Sequence, residues 1–190
     1  PLLLPLRLFI PLVVPIISFL KIIPLFARRI LAQQVSFGGE YPDELVVRDA
    51  LEVYFKRSGF SRKTYTDAWI HLPFGPFNIY LPNIKPRKDV VPLHDVDHIV
   101  AEYDTSWLAE FEITGYELGM GLGKYWMGWV IDLQGIWLAL PLYPLRTMKA
   151  FARGRRTKCF YNKYEYKEQI LAMKLGDIRK ALYIPRKDEV

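Results

Sequence analysis

The chain is poor in the residues that several large classes of protein depend on. It has one cysteine, Cys159, in 190 residues, so it cannot form an internal disulfide, and this fits a reducing compartment. It has no CxxC pair, no glycine-rich phosphate loop, no Rossmann fingerprint and no nucleophile elbow. These absences argue against nucleoside triphosphate and dinucleotide chemistry.

Apolar, aromatic and basic residues are abundant instead. Hydrophobic residues make up 51% of the chain and aromatic residues 15%, and the formal net charge is +6. Five tryptophans and twelve tyrosines suggest an interface or an apolar ligand as well as a core. The positive net charge is compatible with two classes of partner, anionic lipid and nucleic acid. The basic run 153–158 has three interpretations: a solvated helix face, a site for lipid phosphate, or a nucleic-acid contact.

The first 26 residues are almost wholly apolar, interrupted only by the charges of Arg7 and Lys21. Their length suits a bilayer span, but Pro5, Pro11, Pro15 and Pro24 disfavour a regular helix, so an interfacial anchor and a segment folded onto the core are alternatives. We expect residues 1–30 to form a membrane-associating segment and residues 31–190 to form one helical metal-binding domain.

Periodicity and turn signals predict a mainly α fold, a single helical bundle-like domain with a short β-hairpin. The predicted elements are a helix over 43–58 ended by Gly59, a hairpin over 67–83, helices over 90–103 and 106–120, and an apolar segment over 125–145. Asp132, Gln134 and two prolines in that last segment favour a buried helix or the wall of an apolar tunnel over a membrane span.

Two of the three histidines stand within one helical turn. His94 and His98 are i and i+4 in the predicted helix, so both imidazoles lie on one face and can bind one metal ion. Asp95 lies one step round the helix, and Glu110 comes from the next helix across a helical hairpin. Two nitrogens and two carboxylate oxygens suit zinc, and also iron, cobalt or manganese.

The other polar residues near this turn have simpler interpretations. Glu117 shares a helix face with Glu110, whereas Glu112 lies nearly opposite. Asp97 points away from His94 and is interpreted as a surface residue. His71, in the middle of a predicted strand, is interpreted as structural, with general-base catalysis as the alternative; it or Glu117 would then carry a proton.

The pattern His94-Asp95-x-x-His98, eleven residues, then Glu110 resembles the HDxxH-x11-E motif of the Coq-four family of ubiquinone biosynthesis. Tyr103-Asp104-Thr105 and the Arg-Gly-Arg-Arg of 153–156 are also similar. The resemblance covers roughly residues 43–160.

This resemblance implies an all-helical, membrane-associated protein that holds a divalent metal, usually zinc, through His94, Asp95, His98 and Glu110. It implies oxidative decarboxylation of a prenylated aromatic acid, whose tail a hydrophobic channel would hold. The implied partners are a prenylated quinone precursor or isoprenoid lipid, a membrane surface and other members of a biosynthetic complex. We expect a homo-oligomer with no nucleic-acid partner, peripheral on the cytoplasmic or mitochondrial matrix side of a membrane.

The sequence thus supports two main hypotheses from different classes, beside a third, a metal-dependent phosphohydrolase, for which His71 is the only spare histidine ligand. In the first, the chain is a metal-dependent decarboxylase or hydroxylase of prenylquinone biosynthesis, and the four motif residues are catalytic. In the second, it is a non-catalytic scaffold that binds prenyl lipid and uses the metal to join two helices. An open coordination position favours the first hypothesis, and a closed four-ligand shell favours the second.

Overall fold

The computed structural model describes residues 40–74 and 77–185. Within them the chain is mainly helical, with one two-stranded antiparallel sheet, which confirms the predicted fold class. The predicted membrane-associating segment 1–30 lies outside the described residues and stays a prediction.

The elements of the described residues follow one another in a simple order. They are α1 (Val47–Ser58), α2 (Lys63–Thr66), β1 (Trp69–Phe74), β2 (Phe77–Pro82), α3 (Lys85–Val100), α4 (Trp107–Met120), α5 (Trp126–Leu142), α6 (Pro144–Arg155), α7 (Phe160–Lys163), α8 (Glu168–Leu171) and α9 (Leu175–Leu182).

The first helix and the hairpin follow the local signals in the sequence. Gly59 ends α1 with a φ of 74°, a left-handed conformation that glycine adopts without a side-chain clash. Strands β1 and β2 pair in register from Trp69 opposite Pro82 to Phe74 opposite Phe77. The predicted helix end and the predicted hairpin are therefore both confirmed.

Helix α3 begins at Lys85, five residues before the predicted start, and ends at Val100. Pro86 lies in its first turn, where a missing backbone N–H costs nothing, so the proline initiates the helix. Helix α4 begins after Ser106, whose hydroxyl accepts a hydrogen bond from the Ala109 N–H at 3.2 Å.

Two arginines hold the carbonyl end of α3. Arg153, 3% exposed, donates from Nη1 to the Ala101 carbonyl at 2.7 Å, and Arg179 donates from Nε to the Val100 carbonyl at 3.0 Å. Cations are favourable at this end of the helix dipole. For Arg153, therefore, the expectation of a solvated helix face is wrong, because its guanidinium is buried against backbone carbonyls.

Helix α4 packs directly against the backbone of α6. A Cβ on Gly119 would lie 2.2 Å from the Phe151 carbonyl oxygen, and a Cβ on Gly154 would lie 2.0 Å from the Tyr116 carbonyl oxygen. Glycine is therefore required on both sides of this contact. The close approach fixes the position of α4, the helix that carries Glu110 and Glu117.

Helix α5 packs on the rest of the domain mainly through the side that carries its small residues. Gly128, Asp132, Ala139 and Leu142 are buried, whereas most of its large apolar side chains are exposed. The prediction of a buried helix is therefore wrong for its outer face. Among the described helices, none combines the length and the apolar content that a membrane span requires.

Candidate metal centre

The structure brings three of the four predicted ligands together. His94 and His98 project from α3, Glu110 projects from α4, and one ligand atom of each lies within 4.8 Å of the other two. This is the arrangement expected from an i, i+4 histidine pair facing an acid on a neighbouring helix.

The two imidazoles turn the same nitrogen towards each other. His94 Nε2 lies 3.1 Å from His98 Nε2. His94 Nδ1 faces the Glu117 carboxylate, and His98 Nδ1 faces the Tyr103 carbonyl oxygen at 3.3 Å. Since both partners only accept, each Nδ1 carries the hydrogen, and both Nε2 lone pairs point into the gap. Two lone pairs this close require a shared cation, either a proton or a metal ion.

Glu110 completes the group from α4. Its Oε1 lies 3.4 Å from His98 Nε2, and its Oε2 lies 3.7 Å from His94 Nε2. Ligand atoms about 2.0–2.1 Å from a tetrahedral zinc ion are separated by about 3.4 Å, so these distances fit ligands around a common point. The donor set therefore fits a divalent metal.

Glu117 contacts the ring nitrogen of His94 that faces away from His98. Its carboxylate is 1% exposed and lies 3.0 and 3.1 Å from His94 Nδ1 through its two oxygens. The Tyr161 hydroxyl donates a hydrogen bond to Oε1 of the same carboxylate. A carboxylate on the far nitrogen fixes the tautomer and orientation of a metal-binding histidine and strengthens it as a ligand.

Asp95, the fourth predicted ligand, has other partners. The hydroxyls of Tyr54 and Tyr65 donate to its two carboxylate oxygens at 3.1 and 2.5 Å. Asp95 follows His94 directly, so helical geometry turns its side chain about 100° away from that of His94. Burial raises the pKa of the Asp95 carboxyl, although the nearby His94 imidazole opposes this. The structure therefore places Asp95 outside the group of converging ligand atoms.

Two further acids surround Glu117. Asp97 is fully buried, so its interpretation as a surface residue is wrong, and Asp132 of α5 is buried as well. Burial, and then the Glu117 carboxylate, raise the pKa of both side chains well above the usual range. Within the described part of the chain, no donor reaches either oxygen of Asp97 or Oδ2 of Asp132. The protonated form of both acids is therefore favoured beside the Glu117 carboxylate.

The electrostatics of the group favour a cation between the helices. Desolvation works against an imidazolium, but the Glu117 carboxylate, followed by Glu110, raises the pKa of His94 well above its usual value. Desolvation would raise the pKa of Glu110, yet the His98 and His94 imidazoles hold it below its ordinary range. Against the same desolvation, the His94 imidazole likewise lowers the pKa of Glu117, so the carboxylates of Glu110 and Glu117 favour the ionised form and attract positive charge.

Sequence reasoning missed several residues that complete the site. Tyr54, Tyr65 and Tyr161 come from distant parts of the chain, and no local pattern marks them. Glu117 was not missed, because the sequence places it on the same helix face as Glu110; its contact with His94 Nδ1 was not predicted. His71 lies in β1. Its side chain falls outside the described part of the structure, so its predicted role stays a prediction.

The chain was compared with protein-family models, with curated proteins and with solved structures, and none of the three comparisons gave a match. The resemblance to the Coq-four family therefore rests only on the HDxxH-x11-E pattern and the two short segments named with it.

Proposed function

We propose that this chain is a metal-dependent enzyme that binds one divalent cation through His94, His98 and Glu110. The observation that carries the proposal is the convergence of the two Nε2 atoms at 3.1 Å, with both Nδ1 atoms facing acceptors. Without a metal, this arrangement must retain a proton on one imidazole.

The number of ligands supports catalysis over a purely structural role. In the described residues the converging group has three members, and structural zinc sites usually have four protein ligands. A three-ligand site leaves a coordination position for water or substrate. A cation bound there would polarise a substrate oxygen and stabilise negative charge that develops on it.

The donor set suits two metals in particular. Two histidines and one carboxylate hold zinc in many hydrolytic enzymes, and the same residue types hold iron(II) in non-haem oxygenases. Zinc is the metal that the family resemblance implies, and iron is the one that suits oxidative chemistry, with cobalt and manganese as further alternatives.

The protein's own groups would prepare the site for an anionic substrate. Glu117 holds the His94 ring in place, and the Tyr103 carbonyl does the same for His98. Tyr54 and Tyr65 keep Asp95 away from the converging ligand atoms. This leaves Glu110 as the acid of the ligand group and limits the negative charge that a substrate carboxylate would meet.

The substrate class follows from the resemblance. We propose a prenylated aromatic acid of ubiquinone or prenylquinone biosynthesis as substrate. Its ring carboxylate would leave as carbon dioxide, with dioxygen as the two-electron oxidant, reduced to hydrogen peroxide, and water as the source of the ring hydroxyl. The test is incubation of metal-loaded protein with a short-chain prenylated hydroxybenzoate under air, with products followed by mass spectrometry. We expect loss of the carboxylate with gain of a ring hydroxyl in the wild type and none in a His98→Ala variant. Equal turnover by both proteins would contradict the proposal.

Metal binding is tested separately from turnover. Elemental analysis of the purified protein should show about one bound divalent metal per chain for the wild type, and loss of that metal in His98→Ala and Glu110→Gln. The matched control is Glu112→Gln, which alters an acid on α4 that pairs instead with Arg146 at 3.3 Å. Full metal content in all three variants would contradict the ligand assignment.

The exposed apolar face of α5 favours one alternative function, a prenyl-lipid-binding scaffold with a structural metal. The two functions differ in whether the metal keeps a coordination position at which water can be exchanged for substrate. Cobalt-substituted protein should change its visible spectrum when a carboxylate ligand such as benzoate is added if the site is open. An unchanged spectrum together with no turnover would favour the scaffold.

A further inference from the structure

The outer face of α5 is apolar along the helix except for the exposed Gln134. Its exposed side chains include Trp126, Trp129, Leu133, Trp137 and Leu140, and Trp137 is 77% exposed. The buried stripe on the opposite side is built from small residues, and a Cβ on Gly135 would meet Thr114 Oγ1 at 2.8 Å. Helix α5 thus buries its small residues and exposes its large apolar side chains. An ordinary surface helix does the reverse, burying its large apolar side chains.

The beginning of α6 extends this apolar surface and adds positive charge. Leu145 is 79% exposed and Met148 is 57% exposed, and the exposed Lys149 and Arg155 lie on the same helix. Residues 121–164 contain eight lysines and arginines against one acid, and that acid, Asp132, is buried. The surface therefore combines exposed tryptophan, aliphatic side chains and cations with no exposed acid from this segment.

We propose that the outer face of α5, together with the exposed side chains of α6, docks on the surface of an anionic phospholipid bilayer. Tryptophan is favoured at the boundary between headgroups and acyl chains, and cations are attracted to anionic headgroups. Helix α5 is about 25 Å long and would lie along the membrane plane with its apolar side chains among the acyl chains.

Charge decides between a membrane and a second copy of this chain. Two copies that joined through this face would bring the exposed Lys149 and Arg155 of one copy close to those of the other, with no exposed acid from residues 121–164 to pair with them. Like charges across an interface are unfavourable. An anionic bilayer supplies the opposite charge, and its acyl chains cover the apolar side chains.

The test must report on this face alone, because residues 1–26 are also apolar. We suggest chains of all 190 residues that keep a single tryptophan, either Trp137 or Trp69, with the other four changed to phenylalanine. Vesicles of phosphatidylcholine and phosphatidylglycerol with brominated acyl chains quench a tryptophan that enters them. Trp69, 60% exposed on β1, is the matched control.

We expect strong quenching of Trp137 and little quenching of Trp69. Equal quenching of the two, or none of Trp137 on vesicles that bind the protein, would overturn the proposal. A blue-shifted Trp137 emission with a doubled mass in sedimentation, in the absence of lipid, would also overturn it, because a second copy would then cover the face.

The charge of the face is tested by a second variant. Lys149→Glu/Arg155→Glu should weaken binding to anionic vesicles by at least 20-fold, since each cation near an anionic surface contributes roughly five-fold in affinity. Vesicles of phosphatidylcholine alone should bind the wild type and this variant equally weakly. A double variant with wild-type affinity for anionic vesicles would show that these cations do not contact the membrane, and would overturn the proposal.

Discussion

Glu117 and His94 form the closest link between the candidate ligands and the interior of the protein. Both carboxylate oxygens of Glu117 lie within 3.1 Å of His94 Nδ1, and the acid is almost completely buried. Because the contact uses Nδ1, it leaves Nε2 directed at His98. The orientation of the first ligand is therefore set by a residue that does not itself belong to the ligand group.

Glu117→Gln should weaken metal binding without removing a ligand. An amide in this position supports the imidazole less well, and loss of such an outer partner typically lowers metal affinity by about 10- to 100-fold. Competition with a chelator of known affinity measures the change. The matched control is Glu112→Gln on the same helix. If Glu117→Gln and the control had the same affinity, Glu117 would have no role in orienting His94.

Asp95→Asn tests whether the fourth residue of the motif is a ligand. The structure engages its carboxylate with Tyr54 and Tyr65, so we expect the variant to keep its metal. Its free energy of unfolding should fall by about 1–3 kcal/mol, because two buried hydrogen bonds are weakened. Metal content and denaturant unfolding measured on the same sample separate the two effects. Loss of the metal from a folded variant would instead make Asp95 a ligand.

Much of the fold follows from local signals. Gly59 and Gly121 end their helices as glycines do at helix termini, and the spacing of His94 and His98 predicts their shared face. The contacts that could not be predicted join residues that are far apart in the sequence. Tyr161 reaches Glu117 across 44 residues, and Arg153 reaches Ala101 across 52, so neither partner can be inferred from neighbours in sequence.

The orientation of α5 was not predictable for a different reason. Its composition is apolar on nearly every side, so hydropathy gives no preferred inward face. The structure buries the stripe that contains Gly128, Asp132 and Ala139, because small residues permit a close approach to the neighbouring helices. Asp97 was misinterpreted for a similar reason, since α3 is buried on nearly all sides around it.

Gly154→Ala should destabilise the packing of α6 on α4. The added methyl group would lie 2.0 Å from the Tyr116 carbonyl oxygen, and backbone atoms cannot move aside as a flexible side chain can. Overpacking of this kind costs about 1–3 kcal/mol and sometimes more. Urea unfolding followed by circular dichroism measures the loss. Ala152→Ser, at an exposed position of the same helix, should change stability little, and equal stability of the two variants would contradict the described contact.

Asp132→Asn should change how stability depends on pH. Burial, with the Glu117 carboxylate, raises the pKa of Asp132 well above that of an unfolded aspartate. The folded state therefore binds an extra proton, so this contribution to stability is complete below about pH 4 and is lost as the pH rises towards the folded pKa. An asparagine stays neutral and can still donate to Glu117.

The variant should therefore gain stability relative to the wild type between pH 4 and pH 8, by more than about 1 kcal/mol. Unfolding free energies across this range measure the difference, and Asp67→Asn, at an exposed position, is the control. A constant difference between Asp132→Asn and wild type at every pH would show that Asp132 is not held in its protonated form.

The most direct test of the metal centre is an anomalous difference map from a crystal of the protein grown with zinc or cobalt. The account predicts one strong peak about 2.0–2.1 Å from the Nε2 atoms of His94 and His98 and from a carboxylate oxygen of Glu110. Density for two imidazoles that keep their 3.1 Å contact, with no peak between them in the presence of excess metal, would contradict it.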